Sequence, residues 1–141
     1  MARLHNWQSR IHTYINSKQK QPFKYGQNDC GLFCAGAIEA TSGRHPFPFK
    51  YRTLKQAQDK MTELCGSSNL DDFAAYCATN NGWTPVKKNF EQRGDLVVME
   101  SGEQSHLGII DMTGQYVLST GDTGLVRIPL CDANITVVYR T

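Results

Sequence analysis

Leu4, Trp7, Ile11, Tyr14 and Ile15 recur at intervals of three and four, with Arg10, Asn16 and Lys18 between them. This is the pattern of a helix with one apolar face, and it predicts a first helix over 3–18. Pro22 and Gly26 place a loop after it. A second helix is expected to start at Cys30, where Asn28 or Asp29 can cap the free N–H groups, and to end near Thr41-Ser42-Gly43. Its residues Gly31, Cys34, Ala35, Gly36 and Ala37 are small, so it has little intrinsic propensity and is expected to be central, held by elements packed closely on it. Pro46 and Pro48 make Arg44 to Phe49 an irregular surface loop. Thr53 to Gln56 has the form of a capping box, and Leu54, Ala57, Met61 and Leu64 continue at helical spacing, predicting a third helix over 54–65. Asn69 can cap a fourth, striped by Leu70, Phe73, Ala74 and Cys77 and stopped at Asn81-Gly82.

From Trp83 the spacing changes to short β-branched runs at 84–88, 95–100, 106–111, 115–120, 124–130 and 135–139, separated by turn residues. That alternation predicts an antiparallel meander. Helices first and strands second give an α+β domain with the helices on one face of the sheet. No linker, internal repeat or low-complexity segment interrupts the chain, so 1–141 reads as one domain.

With 141 residues, 40% of them hydrophobic and 20% charged, the chain can bury a real core without disulfide or metal staples. The net charge of +2, with no like-charge run beyond Lys87-Lys88, leaves no nucleic-acid footprint. Met1 to Trp7 lead into an amphipathic stretch rather than a signal peptide. The apolar-rich run Cys30 to Ile38 is far short of the roughly 20 residues a membrane span requires. Five cysteines (Cys30, Cys34, Cys65, Cys77, Cys131), an odd number without a C-x-x-C pair, read as reduced thiols, mostly in the core. Cys30 and Cys34 lack a second ligand pair, so no zinc site is expected. Lys18, Lys20 and Lys24 with Phe23 and Tyr25 form a mildly basic, aromatic patch, a solvated face or a contact for an anionic wall polymer.

Cys30 falls at the first turn of its helix, where the macrodipole and unpaired N–H groups favour thiolate and lower the pKa. His5 and His12 fall in the first helix, His45 in the Pro-rich loop, and His106 on a strand. If the central helix packs on the sheet, Cys30 and His106 can meet as a nucleophile and base for acyl transfer. The competing reading makes Cys30 a core residue and His106 an ordinary strand side chain.

The run Pro22-Phe23-Lys24-Tyr25-Gly26-Gln27-Asn28-Asp29-Cys30-Gly31-Leu32 resembles the nucleophile motif of the NlpC/P60 cysteine peptidases, Pro-Tyr-x-Trp-Gly followed by Asp-Cys-Ser-Gly-Leu. Gly94-Asp95-Leu96-Val97 and His106-Leu107-Gly108-Ile109 are similar to the family's Gly-Asp-Leu-Val and His-Val-Gly-Ile strands, in the same order and with the two motifs about 75 residues apart. The resemblance covers about 22–128 and is greatest to the short forms encoded among bacteriophage tail genes. It implies a papain-like α+β core, a hydrolase of peptidoglycan stem peptides with no cofactor, and the roles of nucleophile for Cys30 and general base for His106. It also implies that Asp29 binds the free amine of the stem peptide, beside its local reading as a helix cap. The implied partners are a peptidoglycan peptide and other phage tail proteins. The implied setting is synthesis in the bacterial cytoplasm followed by a place in the virion tail.

Three positions depart from the pattern. Phe23 replaces a Tyr whose hydroxyl lines the oxyanion region, Gly31 replaces Ser, and Leu118 stands at the third catalytic position, where it cannot orient an imidazole. A two-residue turn at Thr113-Gly114 would set 106 opposite 121 with Ser119 diagonal to it, whereas a one-residue slip would set Thr120 opposite with Asp122 nearby. Asp111, five residues along the strand, points away and reads as a turn residue. A thiol acyl transferase, or a structural tail component that has lost efficient catalysis, are the alternative functions.

Overall fold

A computed structural model describes residues 3–141. Met1 and Ala2, part of the leading stretch read as lacking a signal peptide, lie outside the described residues. Four helices precede six strands: α1 (Trp7–Lys18), α2 (Cys30–Ser42), α3 (Leu54–Cys65), α4 (Leu70–Asn81), β1 (Thr84–Pro85), β2 (Leu96–Ser101), β3 (Gln104–Ile110), β4 (Tyr116–Gly121), β5 (Gly124–Pro129) and β6 (Ile135–Arg140). The class is α+β, with helices packed on a C-terminal antiparallel sheet.

The helix boundaries follow the caps. Asp29 accepts from the Leu32 N–H, Thr53 from Gln56 and Asn69 from Asp71, while Gly43, Gly66 and Gly82 close the helices in the left-handed conformation. The capping box at Thr53 is shifted at its return arm, where the Gln56 side chain accepts from the Arg52 N–H. The first helix begins at Trp7, later than its apolar spacing suggests, and the Leu4 N–H instead donates to the Thr41 carbonyl in the last turn of α2.

The strand order is β1-β6-β2-β3-β4-β5. The expected meander therefore holds only from β2 to β5, and β6 returns to lie between β1 and β2. The first predicted strand shrinks to two residues because Pro85 has no N–H to donate and Asn89 turns the chain away at φ 74°. On one face, Leu96, Val98, Leu107, Ile109 and Leu118 meet Phe33, Cys34, Ala37 and Ile38 of α2, with Ile11 and Ile15 of α1 and Phe73, Ala74 and Cys77 of α4 completing this core. On the other face Val97, Met99, Ile110, Val117 and Val138 form a smaller core under Val86, Leu130 and Ala133. Among the described residues, no helix is long and apolar enough to cross a membrane.

Candidate functional site

Cys30 is the first residue of α2, and it is placed there by Asp29. The Asp29 Oδ1 caps the helix at 2.8 Å from the Leu32 nitrogen, while Oδ2 accepts from the Gly26 N–H at 3.1 Å and from the Tyr51 hydroxyl at 2.6 Å. One buried carboxylate thus joins the incoming loop, the helix and the segment that follows the Pro-rich run. Burial, followed by the hydrogen bond to Asp29, pushes the Tyr51 hydroxyl far up, so it remains a phenol that donates. The capping role of Asp29 is observed, and the carboxylate also lines the open cleft beside Cys30.

That cleft has a volume of about 690 Å³, and Cys30, His106, Asp29 and Asp122 all line it. The Cys30 sulfur is approached by the backbone N–H groups of Leu107, Gly31 and Cys30 itself. These donors lower its pKa, but burial raises it more and the Asp29 charge adds to the rise, so the net shift is upward. The lowering expected from the helix terminus is therefore reversed, because desolvation of the sulfur outweighs the dipole. Cys34 and Cys77 are core residues as expected, whereas Cys65 is half-buried and Cys131 exposed; all five thiols are free.

The strand that carries His106 is held at the sulfur by an interrupted ladder. Ile109 pairs with Leu118 and Ile110 with Val117, and the Asp111 N–H continues the same register to the Tyr116 carbonyl. Extended backwards, this register sets 107 opposite 120 and 106 opposite 121, the first of the two alternatives. At Leu107 the backbone ladder stops. The Ser119 hydroxyl takes the Leu107 carbonyl at 2.9 Å, and the Leu107 N–H turns to Cys30. Alternation along β3 puts Leu107 on the α2 face and His106 opposite Met99 of β2, bordering the cleft along the open edge of β3. Among the described residues, no hydrogen bond joins the His106 ring to Cys30 or to an orienting acceptor.

The candidates for that orienting role separate. Leu118 is in the core, Ser119 is committed to the Leu107 carbonyl, and the Thr120 hydroxyl is buried without a described partner. Asp122 lies in the cleft wall with His106. Asp111 is a turn residue, its Oδ1 accepting from the Thr113 hydroxyl at 2.7 Å and from the N–H groups of Gln115 and Tyr116. The basic, aromatic patch also divides. Phe23 and Tyr25 pack edge to face at 4.7 Å in the cleft wall, but Lys18, Lys20 and Lys24 are outside it, Lys18 resting near the Tyr14 ring.

The run expected as a plain surface loop, 44–49, contributes Phe47 and Phe49 to the wall, and Tyr51 follows just beyond it. Phe47, Phe49 and Tyr51 all line the cleft, and Phe73 of α4 packs against the first two, at 5.1 and 5.6 Å between ring centroids. The sequence signal was their spacing of two, which puts alternate side chains of an extended segment on one face. Tyr51 also brings a hydroxyl to the Asp29–Cys30 end of the cleft, where Phe23 lacks one.

A family model matches residues 2–140 and is described as a domain of unknown function, DUF6950. No curated protein matches the sequence.

Proposed function

The chain belongs to the DUF6950 family, and we propose that it is a cysteine hydrolase of peptide-type amide bonds, with Cys30 as nucleophile and His106 as proton carrier. The observation that carries this reading is the Cys30 sulfur at a helix start, in a cleft lined by His106 and facing the Leu107 N–H. The NlpC/P60-like motifs extend the reading to peptidoglycan stem peptides and to a place among bacteriophage tail proteins, and no cofactor enters the chemistry.

The upward shift of the thiol sets the order of events. Cys30 rests as a neutral thiol, so His106 takes its proton while the sulfur bonds to the amide carbonyl, rather than meeting a preformed thiolate. The carbonyl oxygen gathers negative charge beside the backbone N–H groups that surround the sulfur. The C–N bond then breaks, the amine leaves with the proton from His106, and an acyl thioester remains on Cys30. Water, losing a proton to His106, attacks the thioester and releases the acid, and the proton returns to the sulfur.

A second reading, a structural or binding component with weakened catalysis, is favoured by the commitment of Ser119 to Leu107 and the burial of Leu118. Without an orienting acceptor the imidazole loses part of its effect on rate. Mass spectrometry of purified stem peptides incubated with the protein separates the two. The hydrolase reading expects two fragments whose masses sum to that of the substrate plus one water, absent with Cys30→Ala. Intact peptide with both proteins at high enzyme concentration would leave the structural reading in its place.

A further inference from the structure

The cleft beside Cys30 has two unlike walls. The first is apolar and comes from the Pro-rich segment, α3 and the start of α4: Phe47, Phe49, Leu54, Met61, Leu70 and Phe73. Phe73 and Met61 are buried and hold the wall in place, but Phe47 and Phe49 are half-exposed and Leu54 is 42% exposed. Phe47 and Phe49 pack against the main core on one side, and the apolar surface that they and Leu54 leave open in a concave site beside Cys30 is suited to a ligand group. The second wall consists of two hairpin tips, with Glu103 from the turn between β2 and β3 and Asp122 from the turn between β4 and β5. Both carboxylates are exposed at the mouth, and no Lys or Arg lines the cleft.

We propose that the substrate carries a bulky apolar group, aromatic or aliphatic, and a cationic amine flanking the bond that Cys30 attacks, the apolar group lying on Phe47, Phe49 and Leu54 and the amine facing Glu103 and Asp122. This specificity rests on the reading of Cys30 as nucleophile of an amide bond and replaces the stem-peptide extension of that reading, since stem peptides carry several carboxylates and no bulky apolar side chain. The ring stack supplies a flat apolar platform for the first group, and the uncompensated carboxylates select the sign of the second. An anionic polymer is disfavoured at the same mouth by the same charges.

The test separates binding from chemistry. Full-length Cys30→Ala protein is titrated calorimetrically with phenylbutylamine, phenylbutanoate and butylamine, which differ in charge or in the ring alone. Phenylbutylamine is expected to bind about tenfold or more tightly than butylamine, the order of burying a ring, and about two- to fivefold more tightly than phenylbutanoate, the order of matching a charge at an exposed pair of carboxylates. Leu54→Ser, at an exposed position, removes much of the advantage over butylamine, as does Phe49→Ala where thermal unfolding shows it folded. Paired Glu103→Gln and Asp122→Asn changes remove the advantage over phenylbutanoate. Equal affinities, tighter binding of the carboxylate, or no binding of any of the three overturns the proposal. The nucleophile reading is checked apart from this, by treating the natural chain with the nitrophenyl ester of phenylbutanoate and mapping acylation by mass spectrometry. Selective binding without acyl-Cys30 leaves the ligand class and removes the nucleophile; acyl-Cys30 without selective binding does the reverse.

Discussion

At the Cys30 sulfur, two effects of opposite sign compete. A helix terminus favours the thiolate by about 0.3–1 kcal/mol, whereas enclosing a charge in protein costs several kcal/mol unless it is paired. Burial wins, and the thiol is held above its ordinary value of 9.0. Alkylation of Cys30 by iodoacetamide should therefore rise with pH through a midpoint above about 9, and His106→Ala should leave that midpoint unchanged, since the groups that shift the thiol are Asp29 and the backbone N–H donors and do not include His106. Peptide mapping at a series of pH values measures this. Rapid modification at about pH 6 that is lost in His106→Ala would show a preformed ion pair instead. The place of Cys30 at a helix start was legible because Asp29-Cys30 combines a cap with a thiol at the first turn. The sign of its pKa shift was not legible, because desolvation depends on what the rest of the chain places over the sulfur. Tyr51 was missed for a similar reason: its hydroxyl gains a role only through contact with a carboxylate 22 residues earlier in the chain.

Between elements, the backbone of β3 decides where the cleft opens. Gly108 lies next to β4, where an added Cβ would strike Val117 Cγ1 and come within 3.1 Å of the Leu118 carbonyl oxygen and 3.2 Å of Met99 Cε. Among the described residues of β3, Ile109 and Ile110 are the ones in ladder register with β4, so this close approach secures the strand just before the ladder gives way to Ser119 and Cys30. Gly108→Ala should lower stability by about 1–3 kcal/mol, the usual range for overpacking, and denaturant unfolding will measure it. A change within about 0.5 kcal/mol would mean that β4 can move aside freely. Helices were legible to within a residue or two at most ends because Asp29, Thr53, Asn69 and the three left-handed glycines act locally. The position of β6 was not, since nothing in Ile135 to Arg140 states that its partners are β1 and β2 rather than β5. Phe47, Phe49 and Tyr51 fall between these cases. Two prolines correctly excluded regular structure, but the alternation of aromatics already marked one face as apolar.

Across the whole molecule, a single buried carboxylate links regions far apart in sequence. The Asp95 side chain is fully buried, with Arg3 ahead of α1 at 3.3 Å, Arg140 of β6 at 2.9 Å and the Gln92 N–H at 2.8 Å. Arg3 also donates to the Thr141 carbonyl and lies over the Trp7 ring, so the segment before α1 is fastened to the sheet through Asp95. The two arginines differ in environment: burial lowers the pKa of Arg3, while the hydrogen bond to Asp95 raises that of the more exposed Arg140. Either guanidinium alone still leaves the carboxylate a cation, so each single Ala substitution is expected to cost about 1–2 kcal/mol. Removing both strands a buried negative charge, for which a loss of about 3–5 kcal/mol is typical. Arg3→Ala with Arg140→Ala should therefore destabilise by more than the sum of the two single changes, with a coupling of at least about 0.5 kcal/mol. Urea unfolding of the four proteins at one pH measures the coupling directly. Simple additivity would mean that water reaches Asp95 as soon as one arginine leaves, and that the carboxylate does not depend on the pair. A large coupling would instead make this triad the joint through which the α1 side of the molecule and β6 are held together, on the same sheet whose opposite end forms the Cys30 cleft.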